Sequence, residues 1–154
     1  MQIIPTAIPE VVLIAPKVFC DTCGFFLETF EINKYKAAGI TLPMVQDNYS
    51  GSGQGVLRGL HYQIHKPQGK LVSVAVGEAV DVAVDLRRSS STFGRWGGVT
   101  LSAQDRRQVW VPAGFAHGFY ALSEWTEAFY KVTDFYDPSG ERTLIWNDAE
   151  VGVC

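Results

Sequence analysis

The sequence predicts an all-β fold, an antiparallel sandwich or jelly roll with one short helix. Three observations carry this. Apolar and polar residues alternate over short runs, the pattern of half-buried strands. These runs recur at roughly ten-residue spacing with no helical pattern between them, which disfavours a βαβ fold. The turns are supplied by 15 glycines and 7 prolines. With 154 residues and no repeat, low-complexity tract or linker, the chain reads as a single domain, 1–154.

Taken in order, Ile3 to Leu13 is interrupted by proline and threonine and reads as an edge strand or arm. Lys17 to Phe30 (KVFCDTCGFFLETF) alternates around a turn at Asp21 to Gly24, a hairpin. Glu31 to Ala38 is the predicted helix, stopped at Gly39. Pro43 to Ser50 carries the polar group Gln46, Asp47 and Asn48, and leads into a Gly/Ser stretch, Ser50 to Gly55, that reads as a flexible loop. Lys70 to Val76 and Val80 to Leu86 are strands joined at Gly77 and Glu78. In the second, Val80, Val82, Val84 and Leu86 share one face, and Asp81, Ala83 and Asp85 the other. A polar loop, Arg87 to Arg95, precedes four more strands: Val99 to Leu101, Gln108 to Val111, Gly118 to Leu122 and Glu127 to Thr133.

Charge and composition exclude several functions. A net charge of −3 offers no overall attraction for nucleic acid or a membrane surface. No apolar run approaches the roughly 18 residues that suggest a membrane span. The opening MQIIPTAIPEVV lacks the pattern of a signal peptide, so the expected location is the cytoplasm. Cys20, Cys23 and Cys154 are odd in number, which argues for free thiols over a disulfide framework. Cys20 and Cys23 form a lone C-x-x-C, a candidate redox pair or half of a zinc site.

The densest chemistry lies in Gly55 to Lys70, GVLRGLHYQIHKPQGK, which holds Arg58, His61, His65, Lys66 and Lys70. On a strand, His61 and His65 stand about 13 Å apart at roughly 3.3 Å per residue, too far for one metal ion. His61 is instead a candidate general base, since histidine has a pKa near 6.5. Lys70 and Arg58 beside it would favour its neutral form and stabilise a developing oxyanion. Tyr130, on a strand face with Ala128 and Val132, is a candidate acid on the opposite side, or a core tyrosine with a satisfied hydroxyl. Base and acid on opposite faces would invert a carbon centre. His117, in PAGFAHGF, is flanked by glycines, and Asp81 is either its orienting carboxylate or a solvent-facing sheet residue. Arg58 and His61 fall on opposite faces of a regular strand, so both line one site only if Gly59 introduces a bulge.

RGLHYQ (Arg58 to Gln63), QGKLV (Gln68 to Val72), DVAVDLRRSSSTFG (Asp81 to Gly94), VPAGFAHGF (Val111 to Phe119), FYKVTDFYDP (Phe129 to Pro138) and QDNYS (Gln46 to Ser50) together resemble the dTDP-4-dehydrorhamnose 3,5-epimerase family. The resemblance covers nearly the whole chain. It implies a cupin-like jelly roll, forming homodimers in which N-terminal strands, within residues 1–50, are exchanged, and acting without metal or organic cofactor on a dTDP-linked 4-keto-6-deoxy sugar. By the same resemblance, His61 would remove the protons at C3 and C5, Lys70 would stabilise the enolate oxygen at C4, and Tyr130 would be the opposing acid. His117 and Asp81 match a supporting pair. Arg58, Gln46 and Asn48 match positions holding sugar and diphosphate, and Tyr136 one that packs on thymine. Phe19, Phe26 and Glu28 match residues lent by the partner's arm.

Two departures stand out. Where the family reads Asp-x-Arg-Gly-Phe-Phe, this chain has Cys23 in place of the arginine, which predicts weaker nucleotide-sugar binding unless Lys66 or another group substitutes. The family also continues past Gly152 through a tail bearing an aspartate that orients the base; the sequence ends at Cys154, leaving His61 without that orienter. The expected function is epimerisation at C3 and C5, or at C3 alone. The competing readings are a nucleotide-sugar binding jelly roll with reduced or no activity, a metal-dependent cupin enzyme, and a keto-isomerase on the same scaffold.

Overall fold

The computed structural model describes residues 1–153 and contains, among them, thirteen strands and one helix. The strands are β1 (Gln2–Pro5), β2 (Val12–Ala15), β3 (Val18–Asp21), β4 (Gly24–Leu27), β5 (Gln46–Gly53), β6 (Leu57–Gln63), β7 (Lys70–Val76), β8 (Glu78–Asp85), β9 (Trp96–Ser102), β10 (Gln108–Val111), β11 (Phe115–Ala121), β12 (Trp125–Val132) and β13 (Glu141–Thr143). Helix α1 (Ile32–Ala37) follows β4. Glu31 caps it, its carboxylate accepting from the Asn33 and Lys34 amides, and Gly39 follows it at φ +91°.

The strands form a six-stranded sheet, β1-β2-β10-β7-β12-β5, a five-stranded sheet, β13-β6-β11-β8-β9, and a separate β3–β4 hairpin. All pairings are antiparallel. This is an antiparallel jelly roll, as the alternation predicts, and the cupin-like form that the resemblance implies. Leu13, Val72, Val74, Val109 and Val111 of the larger sheet meet Ala83, Leu101, Phe115 and Phe119 of the smaller one in the central core. The outer face of the larger sheet packs Leu71 and Trp110 against Tyr35 of α1 and Ile40. On the outer face of the smaller sheet, Leu60, Val84 and Ala116 lie under Leu144, Val151 and Val153. Among the described residues no helix is long and apolar enough to cross a membrane.

Several boundaries differ from the sequence reading. Ser50 to Gly55 is not a flexible loop: β5 continues to Gly53, pairing Ser50 with Ala128 and Gly51 with Glu127. Small residues are required there because a Cβ on Gly51 would come within 2.5 Å of the Trp125 ring. Ile3 to Leu13 is not one strand but parts of β1 and β2 joined by a turn that buries Ile8 completely. β9, β11 and β12 each begin earlier than alternation suggests, because ladder pairing extends through Gly97, Gly98 and the apolar residues flanking them. In β8 the face bearing Asp81, Ala83 and Asp85 is the interior one, and its valine face is half-covered by the C-terminal segment. Asp85 is fully buried and accepts hydrogen bonds from Arg87, Ser90 and Thr92, pinning the polar loop. Burial would raise its pKa, but these bonds hold the carboxyl well below the usual range.

The bulge required at Gly59 is present. His61 pairs with His117 and Arg58 with Phe119, so three steps of β6 match two of β11. Gly59 takes φ +126°, a conformation open to glycine, and a Cβ there would lie 2.6 Å from Gly118 Cα. A Cβ on Gly118 would lie 2.4 Å from the Arg58 carbonyl oxygen. Gly118→Ala is therefore expected to lower the unfolding free energy by about 1–3 kcal/mol in urea titration. Gly98→Ala, whose new Cβ meets nothing closer than 3.5 Å, is expected to stay within about 0.5 kcal/mol of the parent.

Candidate active site

At one end of the interior the apolar filling stops, and a cavity of about 620 Å³ opens between the sheets. The five-stranded sheet presents Arg58 and His61 from β6, His117 from β11 and Glu141 from β13. The six-stranded sheet presents Gln46 and Asn48 from β5, Lys70 from β7 and Tyr130 from β12. Tyr136, about half exposed, stands at the rim.

Each side chain is held by its strand neighbours. The Arg58 Nε donates to Ser52 Oγ at 2.7 Å and its Nη2 to the Gly51 carbonyl at 2.9 Å, which tethers the guanidinium over the cavity wall. His117 Nε2 donates to the Asp81 carboxylate at 2.9–3.0 Å, and both are buried, so the solvent-facing reading of Asp81 is overturned. Gln46 Nε2 donates to Asn48 Oδ1, while Gln46 Oε1 accepts the Tyr136 amide. The Tyr136 hydroxyl donates to Glu141 Oε2 at 2.7 Å.

The electrostatics separate the titratable groups by role. Burial lowers the His61 pKa; Glu141 opposes this, and Lys70 and His117 add to it. A neutral imidazole near pH 7 is the base form. Burial pushes the Lys70 ammonium down to about 8, against the pull of Asp81 and Glu141. Among the described residues no carboxylate comes within ion-pair distance of it, so the ammonium is unspent. Burial raises the Tyr130 pKa, with Arg58 opposing and Glu141 adding, so the phenol keeps its proton. Tyr130 carries no bond to a protein partner among the described residues, unlike the satisfied core tyrosine, Tyr35.

Not every expected residue reaches this cavity. Phe19 and Phe26 lie on the β3–β4 hairpin, 50% and 66% exposed, with ring centroids 6.5 Å apart. Glu28 pairs with Lys34. Cys23 sits exposed at the hairpin turn, and neither His65 nor Lys66 lines the cavity. Among the described residues no three His, Cys, Asp or Glu side chains converge on one point. The structure adds Glu141 and Thr143, which the sequence reading missed. Glu141 Oε1 stands 3.6 Å and Thr143 Oγ1 3.3 Å from His61 Nδ1, so the base has protein partners after all. β13 is three polar residues, Glu141-Arg142-Thr143, and gives no alternation by which the sequence could have marked them.

A neutral imidazole on one wall, with a protonated phenol and an ammonium free of ion pairs among the described residues on the other, is a set of side chains that can move protons at carbon, the chemistry of an isomerase. The family profile described as dTDP-4-dehydrorhamnose 3,5-epimerase matches residues 5–154. The dTDP-4-dehydrorhamnose 3,5-epimerase of Pseudomonas aeruginosa is 55% identical over 148 residues, 96% of this chain and 82% of that protein. The enzyme of the same name from Neisseria gonorrhoeae is 55% identical over 153 residues; these are 99% of this chain, which spans only 47% of that longer relative. A crystal structure of a Legionella pneumophila dTDP-6-deoxy-D-glucose-3,5-epimerase with dTDP-4-keto-L-rhamnose superposes with TM-score 0.95 at 52% identity, covering 97% of this chain and 80% of the other. A 3'-monoepimerase from Streptomyces bikiniensis with dTDP-quinovose gives 0.89 at 31% identity, over 97% and 76%. The chain belongs to the dTDP-4-dehydrorhamnose 3,5-epimerase family.

Because burial sets the Lys70 pKa, its ¹³Cε resonance should titrate with a midpoint near 8. Asp81 favours the charged form, so Asp81→Asn should move that midpoint down; an upward move would show that Asp81 does not act on Lys70.

Proposed function

We propose that this protein epimerises a dTDP-linked 4-keto-6-deoxy sugar. The C4 ketone acidifies the hydrogens on its neighbouring carbons. His61 takes the proton from C3, and in turn from C5, and the electron pair moves into the C4–O bond as an enolate. The Lys70 ammonium meets that oxygen, and Tyr130 returns a proton to the carbon from the other wall, inverting it. His61 then releases its proton to solvent and Tyr130 recovers one from solvent, so the cycle is balanced and uses side chains alone. The observation that carries this reading is that His61 and Tyr130 hang from different sheets, with Lys70 beside them.

Arg58, Gln46 and Asn48 grip the sugar and diphosphate, Tyr136 packs on the thymine, and the His117–Asp81 pair stiffens the wall behind His61. Phe19, Phe26 and Glu28 serve the cavity of a second subunit in a homodimer. β1 and β2 pack on their own chain's β10, so exchange involves the β3–β4 hairpin. The site is cytoplasmic, in keeping with two exposed free thiols, Cys20 and Cys23.

Incubation with the keto sugar nucleotide in D₂O should place deuterium at C3, and at C5 where both centres invert. His61→Ala should slow exchange at both carbons by roughly 10²–10⁴-fold. Binding of the nucleotide without exchange, by folded parent protein, would instead mark a binding module. The rate should rise with pH through a value below 6.5, as His61 becomes neutral, and fall through about 8, as Lys70 loses its charge. A flat profile across pH 5–9 would exclude this pair of roles.

A further inference from the structure

The enolate mechanism needs a lone pair on the cavity-facing nitrogen of His61, but a neutral imidazole has two tautomers, and only one supplies it. β13 pairs with β6 so that Thr143 lies directly opposite His61 and Glu141 opposite Gln63. This brings two oxygens to the same ring nitrogen, Thr143 Oγ1 at 3.3 Å and Glu141 Oε1 at 3.6 Å from Nδ1. A threonine hydroxyl alone would not choose between tautomers, since it can donate as well as accept. Glu141 breaks the tie: an ionised carboxylate only accepts, and it repels a lone pair on Nδ1. Its other oxygen is occupied by the Tyr136 hydroxyl, which holds Oε1 toward the ring.

We infer that Thr143, backed by Glu141, is a positioning residue that fixes the Nδ1–H tautomer of His61 and leaves Nε2 as the basic nitrogen. This rests on the epimerase reading above, in which His61 is the base. Thr143 touches no reacting atom; it accepts the Nδ1 hydrogen and holds the ring plane while Nε2 gains and loses its proton. Among the described residues, the charged groups that face the imidazole are Glu141 from β13, Lys70 from β7 and His117 from β11. Replacing Thr143 leaves all three in place, so its effect is separable from theirs.

The test combines a measurement on the free protein with kinetics. In ¹⁵N-histidine spectra above the His61 pKa, the parent should show a protonated Nδ1 and a bare, pyridine-like Nε2. Thr143→Val, which keeps the side-chain shape, should shift population toward the other tautomer. It should also lower kcat for proton exchange by roughly tenfold with little change in KM. Because the imidazolium bonds Thr143 more strongly than the neutral ring does, the acid limb of the Thr143→Val profile should move to lower pH. Thr143→Ser should restore tautomer, rate and limb together. A parent spectrum with the proton on Nε2, or a Thr143→Val variant with unchanged tautomer and kcat, overturns the inference. The spectrum needs no substrate, so correct tautomer with no deuterium exchange in the parent would count against the epimerase reading alone.

Discussion

Everything that makes the cavity a site depends on two backbones that touch. Gly59 and Gly118 lie so close that neither tolerates a Cβ, and the approach forces β6 to gain a residue against β11. Without that extra residue the strand's two-residue period would turn Arg58 outward whenever His61 faced in. With it, Arg58 and His61 share the cavity, while Leu60 points the opposite way into the outer cluster with Val84 and Ala116. The same phase sets β13 against β6, which delivers Thr143 and Glu141 to the base. One steric fact thus places Arg58, His61 and the partners of His61.

The second organising element is the uneven solvation of the charges. Asp81 is shut inside the sheet with His117, whereas Lys70 borders the cavity with no counterion in contact among the described residues. Were a carboxylate to bond Lys70 directly, its pKa would rise and its charge would be spent before any enolate formed. Held at a distance, Asp81 and Glu141 supply enough field to keep much of the ammonium protonated near neutral pH.

Much of this was legible in the residues themselves. Alternation marked β7, β8 and β10, whereas strand rise did not apply to the His61–His65 separation, because β6 ends at Gln63 and His65 lies beyond it. The bulge at Gly59 was readable as a condition, because parity made it the one way to bring Arg58 and His61 together. Ser50 to Gly53 misled because composition suggests flexibility, whereas its small residues serve a strand crowded by Trp125. Glu141 and Thr143 were invisible for a different reason. β13 has three residues, too few for a period, and its value lies in a pairing across about eighty residues of chain. Phe19 and Phe26 on the hairpin, and Glu28 just past it, lie away from this chain's cavity.

The architecture also explains why this chemistry suits a jelly roll. Facing sheets stand roughly 10 Å apart, a gap normally filled by interdigitating apolar side chains. Along β5 the inward positions are Gln46, Asn48, Ser50 and Ser52, and across from them β11 offers His117 and Gly118. Polar and small residues therefore leave the space between the sheets unfilled there, the cavity of about 620 Å³. His61 on β6 and Tyr130 on β12 stand on different sheets, so on the proposed reading they would address opposite faces of a ring held between the sheets, and inversion would follow from the sheets being two. On the proposed reading, the two walls set the direction of proton transfer, and Arg58, Gln46 and Asn48 set which carbon meets His61.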